Sequence, residues 1–167
     1  MVDRKWLPPK QWYASLPTVY AATGGLITKN SGEILLVKPN YRSFWAFPGG
    51  LVDADEPPHE GCAREIREEL GLDLAVGALL VVGWAPPRND RPRPITYFLF
   101  DCGVLNEKQE IRLQHEELDA YAFVSIEDGV RLLEDVVANR LPAALRARQS
   151  GCTEYLPIPV PVDDTLS

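Results

Sequence analysis

The sequence predicts an α/β fold, a mixed β-sheet with helices on both faces. Strand-like apolar stretches lie on both sides of one long amphipathic helix, and further helical segments follow the last of them. Composition agrees: 167 residues, 46% hydrophobic and 25% charged, suit one domain with a core of normal size.

Residues 1–17 read as an N-terminal extension rich in proline and aromatics, with Trp6, Trp12 and Tyr13. Two tryptophans so close together are expected to pack on the domain or on a second subunit, which leaves a homodimer open. The domain proper is expected over residues 18–149. Residues 18–28 predict a strand interrupted at Gly24-Gly25, where a bulge or a close backbone approach is expected. Residues 29–32 predict a hairpin turn and 33–38 the returning strand. A loop over 39–43 leads to a short aromatic strand, 44–47, that runs into Pro48-Gly49-Gly50.

A helix is expected to begin near Pro57-Pro58, because proline suits a first turn and Asp55 and Glu56 favour its positive end. Gly71, which takes the left-handed conformation easily, is expected to stop it. Beyond it, residues 74–84 predict a long apolar strand bent near Gly77. Residues 85–94 contain Pro86, Pro87, Pro92 and Pro94 and exclude regular structure. A strand over 95–104, a polar loop over 105–117, and a last strand over 121–124 follow. Ser125 predicts the cap of a helix over 126–138, and a short helix is expected near 142–149. Residues 150–167, with Pro157, Pro159 and Pro161, read as an extended or disordered tail.

The net charge of −7 excludes a general nucleic-acid backbone binder, which needs an excess of Lys and Arg. Cys62, Cys102 and Cys152 form no CxxC pair, which fits free thiols in a reducing compartment. The first residues hold no apolar leader-like core, and no apolar run approaches the ~20 residues that span a bilayer. The expectation is a cytoplasmic protein without a membrane partner.

The acids are not spread evenly. Residues 50–74 carry a net of −6. On a helix, Cys62, Ala63, Ile66 and Leu70 fall on one apolar arc, while Glu65, Glu68 and Glu69 share another. Like charges so placed repel and raise each other's pKa, an arrangement that stability alone does not select. Converging carboxylates suit a hard divalent cation such as Mg²⁺. Arg64, one turn before Glu68, can hold that carboxylate and offset part of the repulsion.

The spacing is specific. Gly50, Glu56, Arg64, Glu65, the apolar Ile66, Glu68, Glu69, Gly71 and the apolar Leu72 stand at fixed intervals. Seven of these positions demand one residue type, each about 5–7% abundant, so a chance match is on the order of one in 10⁸ per start site. This pattern resembles the Nudix box, and the approach Trp45, Phe47, Pro48-Gly49-Gly50 extends the resemblance upstream. The resemblance to Nudix hydrolases implies the family's α/β/α sandwich with a mixed sheet and its loop-helix. It also implies hydrolysis, dependent on Mg²⁺ or Mn²⁺, of the pyrophosphate bond of a nucleoside diphosphate linked to another moiety, or of a nucleoside triphosphate.

By the same resemblance Glu65, Glu68 and Glu69 are metal ligands, the Gly50 carbonyl assists them, and Arg64 orients the glutamates. Glu56 is expected to bind metal through water or to tie down its loop. One glutamate of Glu116 and Glu117, with Glu117 preferred, completes the site. The general base is one of the box glutamates or this downstream one. Tyr41, Arg42 and Trp45 are candidates to stack on a base, and Arg88 and Arg91 to grip substrate phosphates. A nucleotide sugar or ADP-ribose is slightly favoured, since ADP-ribose-cleaving relatives carry a proline near the place of Pro86-Pro87. The rivals are a nucleotide-sensing Nudix domain without catalysis, which the intact glutamates oppose, and a Nudix-fold isomerase, whose Cys and Glu patterns are missing here.

Overall fold

The computed structural model describes residues 6–88, 90–106 and 108–158, with residue 136 described in its backbone only. In chain order its elements are α1 (Pro9–Ala14), β1 (Tyr20–Thr28), β2 (Ile34–Pro39), α2 (Pro58–Leu70), β3 (Leu79–Ala85) and β4 (Ile95–Val104). After these come β5 (Leu118–Val124), α3 (Ile126–Leu132), α4 (Asp135–Ala138), α5 (Arg140–Ser150) and β6 (Glu154–Pro157). The strands form one mixed sheet in the order β5-β2-β1-β4-β3-β6. β1 pairs parallel with β4, β3 pairs parallel with β6, and the remaining neighbours are antiparallel.

Alternating side chains split the core between the two faces. Leu26, Leu36, Leu99 and Leu141 lie on the face that α5 covers. Ile27, Leu35, Val37, Cys62, Ile66 and Leu70 lie on the face that α2 covers. One strand thus feeds both layers, because successive residues point to opposite sides. The helix α2 follows its sequence signals: Pro58 occupies its first turn, and Gly71, at φ 65°, ends it in the left-handed conformation.

Several expectations need correction. β1 is continuous through Gly24 and Gly25, which pair with Leu99 and Phe100 of β4, and the irregularity falls between Leu26 and Thr28. Of the two alternatives expected at these glycines, the close approach is the one found: a Cβ on Gly25 would lie 2.7 Å from Ile66 Cδ1. The strand expected from residue 74 begins only at Leu79. Before it, the Gly77 N–H donates to the Asp101 carbonyl at 2.8 Å, docking irregular chain beside β4. The aromatic stretch 44–47 makes only isolated bridges, Ala46 to Val37 and Trp45 to Leu133. The helix expected over 126–138 breaks at Leu133, whose extended backbone separates α3 from α4. That break lets buried Leu133 pair with Trp45 and the Trp45 N–H reach the Leu132 carbonyl at 3.0 Å. β5 starts three residues earlier than expected.

Both ends differ from expectation. Residues 154–157 of the expected tail supply edge strand β6, while residues 159–167 lie outside the described part. α1 buries none of its residues, and Trp6 is 84% exposed, so these aromatics do not pack on the domain. No helix of the described residues is long and apolar enough to cross a membrane.

Candidate active site

Helix α2 sets three carboxylates at graded depth on one side. Glu69 is 8% exposed, Glu65 is largely covered, and the Glu68 side chain is 57% exposed. Their hub is Arg64. Its Nη1 donates to Glu65 Oε1 and Glu68 Oε2, each at 3.0 Å. Its Nε and Nη2 fork onto Glu56 at 3.1 and 2.6 Å, and Nη2 also reaches the Leu51 carbonyl at 3.1 Å. One planar guanidinium therefore joins the loop before the helix to two of the helix carboxylates, a task that needs several donors in fixed directions.

Glu56 does the loop-tying part of its expected role. Its Oε1 accepts the Asp53 N–H at 2.9 Å, closing the turn that leads into α2. The hydrogen bonds from Arg64 and from Asp53 hold its carboxyl down at about 2. The same pairing raises Arg64 above its ordinary value.

Glu69 is held from the other side. Its Oε2 accepts the Gly49 N–H at 2.8 Å, which points the carboxyl at the Pro48-Gly49-Gly50 loop. Gly49 has φ 141°, and a Cβ there would lie 2.3 Å from the Thr23 carbonyl, so only glycine supplies this donor. A Cβ on Gly50 would lie 2.5 Å from the Glu65 carboxyl carbon, so this loop packs directly on Glu65 as well. The Gly50 carbonyl accepts the Thr23 N–H at 2.8 Å, fixing the loop to β1. In the sequence, Pro48-Gly49-Gly50 signals this loop but not that the Gly49 N–H is the donor to Glu69.

Burial, then the nearby charges of Glu65, Glu117 and Glu68, push the Glu69 carboxyl up to about 8 against the opposing Gly49 donor. Burial is also the main cause that raises Glu65, against the pull of Arg64. Glu117, in the loop before β5, acts on both of them through its charge, so the fold brings it to this cluster from 48 residues beyond Glu69 in sequence. Among the described residues, no three His, Cys, Asp or Glu side chains are drawn close enough to cage an ion as they stand. Glu65 and Glu68 are tied to Arg64, and Glu69 to Gly49.

The remaining candidates lie apart. Tyr41 is exposed, with the Arg42 guanidinium 5.2 Å from its ring centre. Trp45 packs on the core cluster beneath α5, on the face opposite α2. Arg88 Nη1 donates to Glu134 Oε1 at 3.0 Å, at the junction of α3 and α4. Arg91 donates to the Arg93 and Pro86 carbonyls at 2.8 and 2.9 Å. Neither arginine pairs with a carboxylate of α2.

The family profile described as NUDIX domain matches residues 19–145. A MutT-like protein of Streptomyces ambofaciens is 25% identical over 84% of this chain and 86% of its own length. The structure of a MutT protein from Methanosarcina mazei superposes with a TM-score of 0.67 at 26% identity, covering 81% of this chain and 99% of that one. An ADP-ribose pyrophosphatase from Streptococcus suis superposes with a TM-score of 0.63 at 26% identity, covering 84% and 100%. Of several other curated relatives, the chain spans half the length or less. A profile match over most of the chain, on a sheet and loop-helix shared with solved Nudix structures, makes this chain a member of the Nudix hydrolase family, a pyrophosphohydrolase.

Proposed function

We propose that this protein hydrolyses, with Mg²⁺ or Mn²⁺, the pyrophosphate bond of a nucleoside diphosphate linked to another moiety, with ADP-ribose or a nucleotide sugar as the favoured substrate. The observation that carries the proposal is the packing of Glu65 and Glu69 against the Gly49-Gly50 loop, within range of the Glu117 charge. Carboxyls raised by burial and then by acidic neighbours mark a site short of positive charge, and every group they offer an ion is an oxygen. That donor chemistry fits a hard divalent cation. The ADP-ribose pyrophosphatase among the structural relatives supports the substrate class.

Glu65, Glu68, Glu69 and Glu117, with the Gly50 carbonyl, are the groups that would hold the ion. Such an ion supplies charge neutralisation and polarisation of a phosphoryl oxygen when bound. The chain's own residues do the rest. Arg64 fixes the spacing of Glu65 and Glu68, Gly49 aims Glu69, and one of the four glutamates takes the proton of the attacking water. Of the candidates for substrate contact, Tyr41 and Arg42 have the better support, because Asn40 beside them is bonded to the Glu117 backbone. Arg88 and Arg91 have less, since the hydrogen bonds they make go to Glu134 and to carbonyls of their own loop rather than to α2.

Residues 18–149, with edge strand β6 added to their sheet, are the catalytic domain in this reading. Cytoplasmic residence belongs to the same proposal and is supported by three free cysteines. Exposed Trp6, Trp12 and Tyr13 support a homodimer. The test is a panel of ADP-ribose, nucleotide sugars, dinucleoside polyphosphates and oxidised nucleotides, assayed with Mg²⁺, Mn²⁺ or EDTA. Metal-dependent release of a nucleoside monophosphate is the expected result. Turnover undiminished by EDTA, or none on any compound, overturns the proposal.

A further inference from the structure

The loop after β4 returns across the C-terminal end of α2 and repays two of that helix's orphaned carbonyls. The Arg112 N–H donates to the Leu70 carbonyl at 2.8 Å, and the Gln114 N–H to the Glu69 carbonyl at 2.9 Å. The chain then turns: the Leu118 N–H donates to the Gln114 carbonyl at 3.1 Å, while Gln114 Oε1 accepts the Glu117 N–H at 2.9 Å. From the opposite side, the Asn40 N–H donates to the Glu117 carbonyl at 2.9 Å, and Asn40 Nδ2 to the Glu116 carbonyl at 2.8 Å. Both backbone polar groups of Glu117 are therefore committed, although the residue itself is exposed and sits in an irregular loop.

We infer that Gln114, with Asn40 as its counterpart across the loop, is a positioning residue that holds Glu117 in register with Glu69. The inference rests on the proposed role of Glu117 as an ion-holding group. Among the described residues Gln114 alone reaches both partners, since its backbone N–H donates to the Glu69 carbonyl and its side chain accepts the Glu117 amide. A free loop of this kind would lose conformational entropy when an ion binds, and the Gln114–Asn40 clamp removes part of that cost beforehand. The exposed neighbour Glu116 shows the contrast, since its carbonyl is anchored by Asn40 and its amide has no such side-chain acceptor among the described residues.

The test is a double-mutant cycle read by Mn²⁺ affinity, from the paramagnetic resonance signal of the free ion, with Tm measured for every variant. Glu117→Gln is expected to weaken Mn²⁺ about tenfold, and Gln114→Ala by a comparable factor, the scale found for supporting partners of ion ligands. Gln114→Glu, which keeps an oxygen acceptor, is expected to stay within about threefold of the parent, and the double variant Gln114→Ala/Glu117→Gln to be no weaker than Glu117→Gln alone. Asn40→Ala, which removes only the Nδ2 donor, follows the pattern of Gln114→Ala and decides the matter if that variant folds poorly. Parental affinity in Gln114→Ala and Asn40→Ala beside a weakened Glu117→Gln overturns the positioning role and leaves the proposed function standing. Effects that multiply in the double variant also overturn it. Parental affinity in Glu117→Gln removes Glu117 from the proposed site, and the inference falls with it.

Discussion

Two charge clusters of similar density meet different fates in this fold. The acids of α2 converge, because three- and four-residue spacing on a helix puts Glu65, Glu68 and Glu69 on one side, where Arg64 and Gly49 take hold of them. The arginines of residues 86–94 diverge. Arg88 turns to Glu134, Arg91 closes on carbonyls of its own loop, and the Arg93 guanidinium lies 5.7 Å from the Tyr20 ring centre. Regular structure converts sequence spacing into direction, whereas a proline-rich loop fixes the backbone without fixing where its side chains meet.

The largest expected effect lies at the point of convergence. Glu69→Gln is expected to lower kcat by about 10²-fold or more, the scale of losing a group that handles a proton. Its thermal stability is expected to hold or rise, because a neutral amide needs no bound proton to remain at this buried place beside Glu65 and Glu117. Steady-state kinetics beside a melting curve checks both halves. A Glu69→Gln enzyme with near-parental turnover would reduce the cluster to a surface of repelling acids.

Arg64→Ala comes next. It strips Glu56, Glu65 and Glu68 of a shared partner at once, and the lost hydrogen bonds are expected to cost ~1–3 kcal/mol in a denaturant titration. Turnover is expected to fall about tenfold or more as the glutamates lose their spacing, the scale of losing supporting contacts around a site. Arg64→Lys is expected to recover little of either, since an ammonium cannot fork onto Glu56 while reaching Glu65 and Glu68. Recovery by Lys would mean that charge alone, without the fork, organises the cluster.

The pH dependence of the metal-free protein sharpens the same contrast. Glu69 stays protonated in the folded chain up to about 8, against an ordinary value of 4.5. Between those values the folded state binds the extra proton, so stability is fully present below about 4.5 and falls as pH rises towards 8. Glu56 acts oppositely and in a separate window: held down at about 2, it loses its contribution as pH falls below its ordinary value of 4.5. Melting temperatures in EDTA at pH 5, 6.5 and 8 are expected to decline, and Glu69→Gln is expected to flatten the decline. A rise across that range would contradict the crowding of Glu65, Glu69 and Glu117.

What could be read from the sequence follows the same division between local and long-range order. The start of α2 at the prolines, its end at Gly71, its apolar arc and the Arg64–Glu68 contact all arise within a few residues of one another, so spacing foretold them. The break at Leu133 arises from Trp45, and the Glu117 clamp from Asn40, partners that only the sheet brings together. β6 looked like a proline-marked tail because a strand of four residues gains its hydrogen bonds from β3 rather than from its own pattern. Arg88 could be placed in a loop by its prolines, yet its acceptor Glu134 lies beyond two strands and a helix of intervening chain.

The smallest expected effects belong to that loop. The Arg88 side chain is 45% exposed, and exposed ion pairs contribute ~0–1 kcal/mol, so losing its bond to Glu134 costs little stability. With Nη1 engaged by Glu134 and no bond to a carboxylate of α2, Arg88→Ala is expected to leave kcat and KM within about twofold of the parent, the range of an ordinary surface substitution. Arg91→Ala removes two braces from Pro86 and Arg93, so it is expected to loosen the loop more than Arg88→Ala does. Amide exchange over residues 86–94 reads that loosening without any substrate. A tenfold rise in KM for Arg88→Ala, with kcat unchanged, would mean that the loop leaves Glu134 when substrate arrives. Glu134→Gln would then lower KM by releasing Arg88 in advance, and that pair of results would turn the diverging cluster into a second gathering of charge.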